Sequence, residues 1–156
     1  LIHSILLKDP NITVIQLNSS GGLVEASRYI SDIVIDFELD SYVSGECSSA
    51  CVDIFLAGQK RVLERGSWLG FHRGSWAAAD IERYYEGKKK EKGWKDAFEF
   101  SSWLYEDTQS EILKQMKYML ERGVEADFII QTFQADNEGM WYPRRKQLAA
   151  AGVLNE

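Results

Sequence analysis

Eight consecutive residues, Ala50-Cys51-Val52-Asp53-Ile54-Phe55-Leu56-Ala57, are apolar on almost every side and stop at Gly58. A surface helix carries one apolar stripe, whereas a segment apolar all round belongs inside a fold. The rest of the chain must therefore wrap around this segment. It reads as a central buried helix, with Ser48 or Ser49 placed to cap it. Upstream, Thr13-Val14-Ile15-Gln16-Leu17 is a β-branched run that stops at Asn18-Ser19-Ser20-Gly21-Gly22, a buried strand entering a glycine turn. The period then changes, and Leu23, Ala26, Ile30, Ile33 and Phe37 fall on one helical face. Ser41-Tyr42-Val43-Ser44, closed by Gly45, is another strand; Lys60-Arg61-Val62-Leu63 and Trp68-Leu69-Gly70-Phe71-His72 are two more.

This alternation of strand and helix predicts an α/β fold with a largely parallel sheet. The second half reads differently. A helix is expected from Asp80 to Glu86, then a solvated, charged break at Gly87-Lys88-Lys89-Lys90-Glu91-Lys92-Gly93. A long helix should run from Lys95 to Arg122 and stop at Gly123. A short one follows over Asp127 to Gln134, and a last one from Pro143 through Ala151, ended by Gly152. Val153-Leu154 then reads as an edge strand. With no internal repeat and no low-complexity linker, 156 residues suit a single domain with a helical appendage. The opening Leu1-Ile2-His3, without an initiator Met, suggests a fragment or processed form.

Charge narrows the function classes. Lys and Arg number 18 against 24 Asp and Glu, a net −6 shared by both halves, so no basic platform for nucleic acid is present. No apolar run reaches the ~18–20 residues of a membrane span. Two cysteines cannot build a multi-bridge scaffold or a four-cysteine zinc site.

Three features could carry chemistry. Backbone N–H groups of the Gly21-Gly22 turn could face a phosphate or a developing oxyanion, although many such turns only reverse the chain. A serine on a tight turn before an apolar helix, as in Gly45-Glu46-Cys47-Ser48-Ser49-Ala50-Cys51, presents its hydroxyl to substrate, and the N–H after it helps to hold an oxyanion. The plainer reading is an N-cap, and residue chemistry does not choose between Ser48 and Ser49. His72, one of two histidines, ends an apolar strand just before Arg73-Gly74. Alone it reads as structural, but beside a serine in the same sheet it would serve as general base.

Together these residues resemble the proteolytic subunits of Clp proteases. Gly45 to Gly58 is similar to their nucleophile segment, Leu17-Asn18-Ser19-Ser20-Gly21-Gly22 to their Asn-Ser-Pro-Gly-Gly loop, and Trp68 to His72 to the strand that delivers their histidine. The resemblance covers Ile12 to Gly74 well and the remainder loosely. It implies a Clp-protease/crotonase-like fold of stacked β-β-α units with a helical C-terminal half, the family's N-terminal strand lying upstream of Leu1. It also implies a serine-type endopeptidase, with Ser49 as nucleophile, His72 as base, and Gly22 and Ala50 N–H groups as the oxyanion hole. Asp136 would be the third triad member, with Glu138 in reserve. An extended peptide or protein substrate would lie along Gly21, Leu23, Arg73 and Gly74, with no cofactor and no metal. A homo-oligomer is expected, joined through the Lys95–Arg122 helix, and any unfoldase partner is left unspecified. Ser20 departs from the family by standing where it has proline.

Clp-like proteins of bacterial envelopes carry a Cys-x-Ser-Ala-Cys arrangement similar to Cys47-Ser48-Ser49-Ala50-Cys51. With the two cysteines this favours a periplasmic or membrane-associated location over a cytoplasmic one. Cys47 and Cys51 themselves read first as two buried small hydrophobes, next as a disulfide across the turn, and last as a zinc site with His72. A cysteine nucleophile is a further alternative, as is a Ser-Lys dyad drawing on Lys88 to Lys92. Two rival functions remain beside the peptidase. One is an inactive scaffold binding peptides or partners, with His72 too far from Ser49 to bond. The other is a crotonase-type acyl-CoA enzyme.

Overall fold

The computed structural model describes residues 2–135 and 139–155. The chain forms two compact units, Leu1–Arg73 with Met119–Glu156, and Gly74–Tyr118. In the first, a short α1 (Ile2–Leu6) precedes β1 (Val14–Ser19), α2 (Val24–Asp36), β2 (Asp40–Ser48), α3 (Ala50–Ala57), β3 (Arg61–Leu63) and β4 (Trp68–Gly70). All strand pairings in the sheet are parallel. β1 lies along one edge of β2, from Val14 opposite Asp40 to Leu17 opposite Val43, and rejoins after a bulge with Ser19 opposite Cys47. The other edge of β2 is shared. Ser41 to Val43 pair with β3, and Glu46 to Ser48 pair with β4. A parallel sheet needs cover on its faces, and α3 provides it: every residue of that helix except Ile54 is buried.

The burial of α3 agrees with its sequence pattern, and α2 keeps part of the face expected of it. Ile33 is buried and Ile30 and Phe37 pack against the same apolar cluster, whereas Ala26 is exposed and Leu23 is 79% exposed. Ser27, Ser31 and Val34 are buried as well, where α2 packs on α3. Ser27 meets its polar requirement by donating to the Val24 carbonyl at 2.8 Å and to Asp53 Oδ2 at 3.3 Å.

The second unit holds α4 (Ala78–Lys92) and most of α5 (Ala97–Glu121). The charged break expected at Gly87–Gly93 is absent: α4 runs straight through Gly87 and the lysines and ends at Gly93 in the left-handed region. Pairing at i, i+3 supports it, with Lys88 beside Glu91 at 2.7 Å and Arg83 beside Asp80 at 2.8 Å. Tyr84 and Tyr85 gather against Trp94, Phe100 and Trp103, the aromatic core of this unit.

The chain returns to the first unit through the end of α5, then α6 (Ala126–Gln134) and α7 (Arg145–Ala150). The last helix starts two residues after Pro143. Val153 and Leu154 are buried but form no strand, because their backbone closes the α7 turn, with the Val153 N–H donating to Leu148. Buried Arg61 draws chain ends together by donating to the carbonyls of Leu56, Arg122 and Gly152, near the C-termini of α3, α5 and α7. A cation there complements the negative ends of the helix dipoles.

Candidate active site

The site is built where β2 gives way to α3. Ser49 is the single residue between them, with φ 56° and ψ −129°, one of two non-glycine residues with positive φ among the described residues. Such a backbone costs a non-glycine residue on the order of 1–3 kcal/mol and persists only where the surroundings hold it. They do so from both sides. The Ser49 N–H donates to the Gly70 carbonyl at 2.9 Å, and its own carbonyl accepts from Val52 at 2.9 Å.

Gly21 passes directly beneath. A Cβ there would lie 2.8 Å from Ser49 Cβ and 2.9 Å from the Ser48 carbonyl, and its φ of +116° also favours glycine. Asn18 ties the two loops together by accepting the Glu46 N–H at 3.1 Å.

β4 brings the base. Its parallel register against Glu46–Ser48 ends one residue before Ser49, and two residues beyond Gly70 the chain reaches His72. His72 Nε2 is 2.8 Å from Ser49 Oγ. In the tautomer with Nε2 unprotonated, the serine hydroxyl donates and the imidazole is placed to take its proton.

The two neighbouring serines, equivalent by residue type, are thereby separated. Ser48 is fully buried and donates to Glu46 Oε1 at 2.7 Å, whereas Ser49 is partly exposed and meets His72. The capping role expected of either serine is not filled. Ser49 occupies the N-cap position of α3, but its side chain makes no cap hydrogen bond. Its hydroxyl is engaged with the histidine instead.

Cys47 and Cys51 form a disulfide, with Cα atoms 5.3 Å apart. The expectation of two separate buried thiols is corrected in its chemistry and kept in its burial, since Cys47 is 0% and Cys51 3% exposed. The bond removes both sulfurs as thiolate nucleophiles and as zinc ligands. Among the described residues, no group of three His, Cys, Asp or Glu side chains could hold a metal ion. Lys88 and Lys89 are poor candidates for a neutral base. Glu91 hydrogen-bonded to Lys88, and Tyr85 hydrogen-bonded to Lys89, hold both ammoniums above the usual range, opposite to what a neutral lysine base requires.

The remaining candidates fall as follows. The Gly22 N–H has no intramolecular acceptor among the described residues, and the Ala50 N–H, first in α3, has none within its helix. Leu23 and Gly21 line an apolar groove of about 200 Å³ beside the elbow, with Ala26, Ile30, Cys51 and Ile54. Arg73 donates its N–H to the Ala135 carbonyl at 3.4 Å. Asp136 and Glu138 lie outside the described residues. Gly74 opens the second unit.

Sequence reasoning missed the support below Ser48, where Glu46 Oε1 also accepts from the Tyr142 hydroxyl at 3.3 Å. It missed Ser67 as well, whose Oγ accepts the Gly45 N–H at 2.8 Å. Both contacts join residues far apart in the chain, and no local pattern marks them.

No protein-family model and no curated protein matches this sequence. Among solved structures, a mutant of ClpP1 from Listeria monocytogenes matches with a TM-score of 0.66 and 20% identity, over 99% of this chain and 80% of that one. The chain has a ClpP-like fold, in agreement with the architecture that the sequence motifs implied.

Proposed function

We propose that this chain is a serine peptidase that cleaves peptide bonds through an acyl-enzyme. The hydrogen bond of 2.8 Å between Ser49 Oγ and His72 Nε2, on a strained elbow, carries the reading. His72 takes the Ser49 proton as Oγ attacks the scissile carbonyl. The N–H groups of Gly22 and Ala50 receive the oxyanion, and His72 returns the proton to the leaving amine; water then repeats the sequence on the ester. Asp136 orients His72. Support for that assignment is the Arg73–Ala135 hydrogen bond, which ties the residue after His72 to the residue before Asp136. An extended substrate lies along Gly21, Arg73 and Gly74 by strand addition, with an apolar side chain in the groove beside Leu23.

An inactive scaffold would have His72 too far from Ser49 to bond, and the short contact speaks against it. Exposed Phe98, Tyr105, Leu113 and Leu120 on α5 support a homo-oligomer. The disulfide supports an oxidising compartment such as the periplasm or the outer face of a membrane. Labelling with a fluorophosphonate tests the peptidase. The wild type should be modified on Ser49, and labelling that survives Ser49→Ala would move the nucleophile elsewhere. Light scattering at the mass of one chain would refute the oligomer.

A further inference from the structure

We infer that the Cys47–Cys51 disulfide is a positioning element for the nucleophile, holding Ser49 in the backbone conformation that reaches His72. The inference rests on the peptidase reading above and deepens it.

Three observations converge. The bridge brackets Ser49 by two residues on each side, joining the end of β2 to the first turn of α3. The helix start it clamps lacks its usual restraint, because the N-cap hydroxyl is turned to His72 and the preceding hydroxyl is bonded to Glu46. Finally, Ser49 keeps φ 56° and ψ −129°, a conformation a non-glycine residue abandons once it is released. Its backbone bonds to Gly70 and Val52 secure one end each, the strand side and the helix side. The bridge adds a covalent tie of one side to the other across the serine itself. Both half-cystines are buried and contribute apolar packing as well. What the bond adds is geometry.

The chemistry of its removal is ordinary exchange with a dithiol reductant. One reductant thiolate attacks a bridge sulfur, breaking the S–S bond and forming a mixed disulfide. The second thiolate displaces the protein sulfur, so the protein gains two electrons and two protons as two thiols, and the reductant leaves as a cyclic disulfide. Burial of both sulfurs makes the attack wait for local opening, so the bridge acts as a lasting constraint.

The test uses the full chain in three forms: oxidised, reduced by dithiothreitol, and the double variant Cys47→Ala with Cys51→Ala. The rate of modification by a fluorophosphonate should fall by about 10- to 100-fold in the last two, the scale expected of a misplaced reacting group. With a peptide substrate the loss should fall on kcat more than on KM, and reoxidation should rescue the reduced wild type but not the variant. Hydrogen exchange over residues 48–53 should accelerate, while β1 and α2 stay protected.

Equal labelling rates and equal exchange with and without the bridge would overturn the inference, as would a lowered melting temperature with both readouts unchanged below the transition. If the oxidised protein is never labelled, the peptidase reading fails. Exchange over residues 48–53 then still decides whether the bridge holds the elbow, with unchanged protection counting against it. If the double variant does not fold, the reduced and reoxidised wild type supplies the comparison.

Discussion

α3 buries every residue but Ile54 in eight positions, whereas α4, fifteen residues long, buries none. The first is fixed by its surroundings and would be a poor helix alone, being too short to sustain nucleation. The second depends on i, i+3 ion pairs and on two tyrosines laid against an aromatic cluster. A strained residue can be carried only where neighbours over-determine the backbone, and Ser49 stands at the end of α3. No comparable position exists in α4, whose backbone is free to relax toward solvent.

The comparison is sharpest at Ser49. Replacing Ser49 by Ala should lower peptide hydrolysis by about 10³-fold or more with the fold intact, while Ser48→Ala should keep most of the activity. A reversal of that order would break the assignment of the elbow. Gly21→Ala forces a Cβ to within 2.8 Å of Ser49 Cβ, at a φ disfavoured for alanine. Activity should drop about 10- to 100-fold, read as kcat on a peptide.

Stability separates the two helices next. Phe55→Ala empties a fully buried site in α3 and should cost about 3–5 kcal/mol in denaturant unfolding. Gly87→Ala in α4 has open space around it and should instead stabilise by roughly 0.5–1 kcal/mol. A destabilising result there would restore the break in α4 that the sequence suggests. The smallest effect belongs to Glu91. Lys88 holds its carboxyl below the usual range, so its contribution is present above the unfolded-state pKa and fades as pH falls through the folded-state value. Because the pair is exposed, Glu91→Gln at physiological salt should leave the melting temperature unchanged.

What could be read from the sequence follows from where the determining contacts lie. The apolar octet, the glycine loop and the histidine strand are local signals, and all three appear where expected. Gly87 and its lysines are also local signals but misled, since ion pairs and the aromatic cluster keep a polar, glycine-containing stretch helical. The choice between Ser48 and Ser49 depends on a backbone angle that composition does not encode; only the family resemblance favoured the latter. Cys47 and Cys51 at i, i+4 read first as thiols and only next as a bridge, and the approach of β2 to α3 brings them within bonding range. Leu23 was expected on the buried face of α2 and lines a groove instead, because it stands at the N-cap, ahead of the buried turns.

The shared edge of β2 carries a consequence of its own. Glu46 to Ser48 pair residue by residue with Trp68 to Gly70, and the two strands then lead to Ser49 and His72. The distance from imidazole to hydroxyl is thus counted out by backbone hydrogen bonds, and a slip of two residues would displace His72 by about 7 Å. Side chains along that ladder are free to drift so long as they suit a strand. A lineage could therefore exchange most of its sequence and keep the spacing of the Ser49 and His72 side chains.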